Sequence, residues 1–146
     1  MAGRTYPDRP YLAVSAAVVR EGRVLLVRRA QAPAQGVWTL PGGVVEAGET
    51  LAEAVTREVR EETSLAIDPV ALAGYREFIL RDVAQRVERH FVILAFAARW
   101  VAGEPCLNEE LAEARWLLPR EVAGLTTTEG LAEIVADAFE RLKHTG

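Results

Sequence analysis

A chain of 146 residues can bury one substantial core and is too short for two ordinary domains. Half of its residues are hydrophobic and 26% are charged, a balance that excludes a disordered chain. Lys and Arg number 17 against 21 Asp and Glu, so there is no basic excess to neutralise a nucleic acid polymer, although a small phosphate ligand held through a metal stays compatible. Residues 1–10 read as an extended arm ahead of a single domain over 11–146. Residues 11–19 are apolar and β-branched and form a first strand; Glu21-Gly22 makes a tight turn, and residues 23–28 return as the second strand of a hairpin. A loop over 30–36 contains Pro33 and Gly36, and a short strand over 37–40 runs into a glycine turn, Pro41-Gly42-Gly43.

Thr50 is placed to cap a helix from Leu51 to Thr63, with Glu53 completing a capping box. Leu51, Val55 and Val59 give that helix an apolar edge beside its acids. Residues 69–80 read as loop followed by strand, 81–86 as a hairpin turn, and 87–101 as a long apolar strand. A loop over 103–110, a short strand over 114–118 and a short helix from Pro119 to Gly124 follow. Residues 128–143 form a second long helix, burying Leu131, Ile134, Val135, Ala138, Phe139 and Leu142. This order places the chain in the α+β class, a sheet flanked by helices. Cys106 is a lone cysteine, so no internal disulfide forms, and a reduced cytoplasmic setting fits. Residues 1–10 do not resemble a signal peptide, and no apolar run approaches the length of a membrane span, so no membrane association is expected.

The chemistry concentrates in the first helix. Residues three and four apart share a helix face, so Glu58, Glu61 and Glu62 crowd together, each like-charge pair costing about 0.2–0.5 kcal/mol in an isolated helix. Water solvates such a cluster or a cation neutralises it. An all-oxygen donor set suits a hard cation, foremost Mg²⁺, with Mn²⁺ as a substitute. Arg57 is placed to aim a glutamate through a bidentate ion pair or to contact phosphate. Gly42 and Gly43 permit close backbone approach. Arg28 and Arg29 leave their strand in opposite directions, so one of them reaches a phosphate, and Arg28 is the candidate. Trp38, Trp100 and Trp116 are expected to pack rather than stack on a base, and His90, His144 and Cys106 receive no function.

Residues 43–65 as a whole resemble the signature of the Nudix hydrolases: a glycine, five residues, a glutamate, seven residues, then Arg-Glu, an apolar residue, any residue, Glu-Glu, any residue, a glycine and an apolar residue. Gly43, Glu49, Arg57, Glu58, Val59, Glu61, Glu62 and Leu65 match; Ser64 stands where the family has glycine, at a position where a left-handed backbone is needed. The resemblance extends over the run from Val14 through Trp38 to Gly43 and over the segment Glu113 to Leu117. It implies an α/β/α sandwich with a mixed β-sheet between helices. It also implies a catalytic set of Arg57, Glu58, Glu61 and Glu62, and a metal shell of Glu58, Glu61, Glu62 and the carbonyl of Gly43. Glu49 takes a structural role beside Arg57. The family often adds an acid from the late loop, here one of Glu109, Glu110 and Glu113; the candidate substrate contacts are Arg28, Gly42 and Glu110. The implied activity is metal-dependent hydrolysis of the diphosphate linkage in a nucleoside diphosphate derivative, a small-molecule nucleotide. The general run of the sequence is similar to small bacterial ADP-ribose pyrophosphatases, which release AMP and ribose 5-phosphate. The alternatives are a nucleotide-sanitising nucleoside-triphosphate pyrophosphatase and, in a different class, a non-catalytic nucleotide-sensing or partner-binding domain, although such domains usually lose ligating glutamates. Many relatives form homodimers, and the apolar late strand allows one.

Overall fold

The computed structural model describes residues 4–144; residues 1–3 of the arm and the last two residues of the domain lie outside that range. Its elements are β1 (Tyr11–Arg20), β2 (Arg23–Arg29), β3 (Trp38–Thr39), β4 (Gly42–Val44), α1 (Leu51–Thr63), β5 (Ala66–Arg81), β6 (Val87–Ala102), β7 (Leu111–Leu117), α2 (Pro119–Val122) and α3 (Leu131–Lys143). The sheet runs β3-β2-β1-β6-β5, with β4 paired to β1 and β7 to β2. It is mixed: β1 lies parallel to β6 over Tyr11 to Val19, and its other ladders are antiparallel.

Alternation along β1 divides the main core into two, and Ala13 joins a third, small cluster with Val44 and Phe91. Val14, Ala16 and Val18 point to one face and pack with Leu25, Val27, Phe96 and Ala98 against Val55 and Val59 of α1. Ala17 points to the other, where Leu26, Ala95 and Ala97 meet Leu131, Ile134, Val135 and Ala138 of α3. Removing each such large aliphatic side chain from water contributes about 1.5–3 kcal/mol. The molecule is therefore an α/β/α sandwich, the architecture the signature implied.

Helix α1 begins and ends where its caps dictate. Glu53 N–H donates to Thr50 Oγ1 at 3.1 Å and Thr50 N–H to Glu53 Oε1 at 2.8 Å, closing the capping box. At its far end Ser64 takes φ 68° and ψ 8°, the left-handed conformation expected of the glycine it replaces, and its N–H bonds back to Arg60. The hydroxyl of Ser64 donates to the Cys106 carbonyl at 3.1 Å, which ties the 103–110 loop to the helix end.

Four elements differ clearly from the sequence expectation. Strand β7 begins at Leu111 rather than at 114, because its ladder to β2 continues past the register shift to Arg29. Gly42 and Gly43 form strand β4 rather than a turn, because bare Cα atoms let this segment press against β1: a Cβ on Gly42 would lie 2.0 Å from the Val14 carbonyl oxygen. Strand β5 begins before Pro69 rather than after it. Proline is tolerated there because β5 is an edge strand and its ladder to β6 shifts register between Pro69 and Ala71. Helix α3 begins at Leu131, three residues later than expected. Thr126 to Thr128 bond to Trp38 instead, and Gly130 turns left-handed before the first helical turn.

Candidate active site

Helix α1 carries its carboxylates toward β4, and Arg57 organises them. Its Nε donates to Glu49 Oε2 at 2.6 Å and its Nη2 to Glu49 Oε1 at 2.9 Å, a bidentate pair that fixes the guanidinium plane. Nη2 also donates to the Val44 carbonyl at 3.1 Å, joining helix to strand. Nη1 reaches Glu58 Oε1 at 2.9 Å and Glu61 Oε2 at 3.2 Å. Of the two roles open to Arg57 from sequence, these contacts are those that the aiming of glutamates requires. Glu49 sits beside it in the structural place expected, and this hydrogen-bonded pair, helped by the Glu46 N–H, holds the Glu49 carboxyl down at about 2.

Glu58 and Glu62 face the glycine strand. A Cβ on Gly43 would fall 2.2 Å from Glu58 Oε2, so only glycine leaves room for that carboxylate. The Gly42 N–H donates to Glu62 Oε1 at 2.8 Å. Glu62 is only 7% exposed. Burial pushes its carboxyl up to about 8, opposed by the Gly42 N–H and reinforced by Glu110 and Glu58. Burial also raises Glu58, with Arg57 pulling the other way.

The late loop completes the site. Asn108 N–H donates to the Glu62 carbonyl at 3.1 Å and Cys106 N–H to the Thr63 carbonyl at 2.9 Å. Asn108 Oδ1 accepts from Glu110 N–H at 3.0 Å, and the Glu110 side chain bonds to that of Glu62. One cleft of about 290 Å³ is lined by Glu58, Glu61, Glu62 and Glu110 together with Gly42 and Gly43.

Not every expected residue arrives. Arg28 does not line the cleft: its Nε bonds to Glu113 at 3.4 Å and its guanidinium lies 6.0 Å from the Trp38 ring centre. Arg29 lines it instead, its Nε held by the Pro33 carbonyl at 2.7 Å. The β2–β7 ladder shifts register between these two arginines, and that shift was invisible in sequence. Glu113 is engaged by Arg28 and Arg115, outside the cleft. Arg4, Gln31 and Asn108 line the cleft and were missed. No local motif marks them; only the tertiary fold brings the arm and two loops together. Trp38 is buried in the core, and Trp100 lies under the Arg20 guanidinium at 3.9 Å, so both pack as expected.

Among the described residues no three or more acidic, His or Cys side chains stand arranged to hold a metal ion. The donor chemistry nevertheless fits a hard cation: four carboxylates and two glycine backbones share one cleft, and Glu62 carries a burial cost that positive charge would offset. Glu58, Glu61 and Glu62 are the groups that would hold it, Glu58 and Glu61 through the oxygens that Arg57 does not engage.

The NUDIX domain profile matches residues 9–138. A MutT-like protein of Streptomyces ambofaciens is 36% identical over 133 residues, covering 90% of this chain and 76% of the relative. An ADP-ribose pyrophosphatase of Methanocaldococcus jannaschii is 34% identical over 107 residues, 73% of this chain and 61% of that protein. The crystal structure of a MutT protein from Methanosarcina mazei Go1 superposes with a TM-score of 0.74 at 28% identity, over 94% of this chain and 99% of the other.

Proposed function

From the premise that the chain belongs to the Nudix family and is a hydrolase acting on phosphoric anhydrides, we propose that it cleaves the diphosphate linkage of nucleoside diphosphate derivatives, with ADP-ribose as substrate and Mg²⁺ as cofactor. The observation that carries this reading is the joint placement of Glu58, Glu61, Glu62 and Glu110 in one cleft beside Gly42 and Gly43. The likeness to the archaeal ADP-ribose pyrophosphatase supports the choice of substrate.

In this reading Glu58, Glu61 and Glu62, with the Gly43 carbonyl, would hold the metal, which would supply screening of the phosphoryl oxygens and a lowered pKa of its bound water. Arg57 keeps Glu58 and Glu61 aimed at the cleft, and Glu49 keeps Arg57 in place. Glu62 is held against β4 by the Gly42 N–H, so its carboxylate does not swing away as charge enters the site. Glu110, delivered to the cleft by the late loop and bonded to Glu62, takes the proton of the attacking water in this reading. Arg29 contributes positive charge to substrate phosphate. Water adds to one phosphorus, the bridging P–O bond breaks, and ADP-ribose yields AMP and ribose 5-phosphate. All three helix glutamates are present, which disfavours a silent sensor domain.

The test is product analysis by mass spectrometry after incubation with ADP-ribose and, separately, with nucleoside triphosphates in millimolar Mg²⁺. AMP and ribose 5-phosphate are expected as the dominant products. Release of pyrophosphate from triphosphates at the higher rate would replace this reading with the nucleotide-sanitising one. Trivial turnover of both would end the substrate assignment.

A further inference from the structure

The cleft contains a cation that neither the signature nor the hydrolytic scheme uses. Arg4 belongs to the segment ahead of β1, yet it lines the same cleft as Glu58, Glu61 and Glu62. Two contacts place it. Its guanidinium lies 4.9 Å from the centre of the Tyr11 ring, and its Nη2 is 3.7 Å from Glu46 Oε1. The cation–π contact with Tyr11 holds the guanidinium over that ring. The Glu46 contact is longer than a hydrogen bond and solvent-facing, the kind of pair that contributes little and yields to a better anion. Arg57 differs: every nitrogen of its guanidinium is already engaged.

The arm does not reach the cleft by chance contact. Tyr6 N–H donates to the Glu88 carbonyl at 2.7 Å and Tyr6 Oη to Asp82 Oδ2 at 2.9 Å. The Arg86 guanidinium covers the Tyr6 ring at 4.7 Å. Asp82 is itself fixed by the N–H groups of Ala84 and Arg86. The β5–β6 turn thus holds the arm two residues beyond Arg4, and Tyr11 of β1 receives the side chain. A cleft rich in carboxylates repels a polyanion, and a fork of N–H donors on the approach to it offsets that repulsion for phosphoryl oxygens.

We propose that Arg4 is a substrate-binding residue, delivered by an N-terminal arm pinned at Tyr6, which takes the anionic phosphoryl oxygens of a nucleoside diphosphate derivative; this deepens the hydrolase reading and rests on it. Tyr6 is then a positioning residue, acting through Arg4.

Arg4→Ala, Arg4→Lys and Tyr6→Ala decide it, compared with the wild type in steady-state hydrolysis of ADP-ribose and in calorimetric binding of α,β-methylene-ADP with Mg²⁺. Loss of one charge-assisted contact to phosphate predicts that Arg4→Ala raises KM and the analogue's Kd about 10-fold, with kcat within about 3-fold of the wild type. Arg4→Lys recovers part of that loss, Tyr6→Ala shows a smaller rise in KM, and added salt weakens binding to the wild type more than to Arg4→Ala. Unchanged KM and Kd in Arg4→Ala would overturn the proposal, as would a fall in kcat and Tm together with unchanged KM, the mark of a purely structural arm. If the wild type hydrolyses no diphosphate, the hydrolase reading fails by itself, and the analogue's affinity for wild type against Arg4→Ala still decides the role of Arg4.

Discussion

Single atoms distinguish the two glycines of β4. A methyl on Gly42 would meet the backbone of Val14 and Ser15, which cannot retreat, whereas a methyl on Gly43 would meet only the mobile end of Glu58. Gly42→Ala is therefore expected to destabilise the fold by roughly 1–3 kcal/mol or more, as overpacking against a rigid neighbour does. Gly43→Ala should keep its melting temperature within a few degrees and lose activity, because Glu58 is displaced; paired Tm and kcat measurements check both. Glu61→Gln removes one charge at a half-exposed helix position, so the fold should persist by circular dichroism. Its kcat should fall on the order of 100-fold or more, the scale for losing a group that stabilises developing charge; near-normal turnover would remove Glu61 from the ligand set. At this scale the sequence was informative for α1 and misleading for Arg28. Helix periodicity places Glu58, Glu61 and Glu62 without reference to the rest of the chain. Which of two adjacent strand arginines faces a cleft depends on one register shift against β7, which local pattern does not encode.

Among the elements, α1 was the most legible because its ends are written in local chemistry: Thr50 and Glu53 at one end, Ser64 at the other. Thr50→Ala removes the cap hydrogen bond and should lower stability by about 1 kcal/mol in chemical denaturation, with little change in KM, since Thr50 lies outside the cleft. Strand β4 was illegible for the opposite reason. Pro-Gly-Gly carries a turn signal, and only the ladder to Ala13, Val14 and Ser15 makes it a strand. The start of α3 was placed too early because residues 128–130 carry no local stop signal, whereas Thr127 and Thr128 are taken by Trp38 and Thr39 across the molecule. Tertiary pairing overrides propensity where the competing partner is a strand edge.

Across the whole molecule, two acids set opposing pH limits. Glu62 ordinarily titrates at 4.5 and is raised to about 8 in the fold, so the folded state binds the extra proton. Its contribution is complete below pH 4.5 and is lost as the pH rises through 8. Glu49 is lowered to about 2, so its contribution is present above 4.5 and is lost as the pH falls through 2. The metal-free protein should therefore show its highest Tm in mild acid and a decline toward pH 8.5. Glu62→Gln should flatten that decline, and millimolar Mg²⁺ should raise the Tm most at the alkaline end, because ligation favours the ionised carboxyl. A decline in metal-free Glu62→Gln as steep as in the wild type would show that Glu62 is not its source.

The parallel pairing of β1 with β6 has a consequence during synthesis. The first strand leaves the ribosome long before its principal neighbour has been translated, and loop closure over that span is slow. Until then Tyr11 to Val19 presents an open, hydrophobic hydrogen-bonding edge, the feature that chaperones bind and aggregates recruit. A 13-residue helix is marginal alone, and the glycine strand facing its carboxylates gains a rigid backing only when the later half of the polypeptide arrives, so a nascent chain carries the motif without yet owning an assembled cleft.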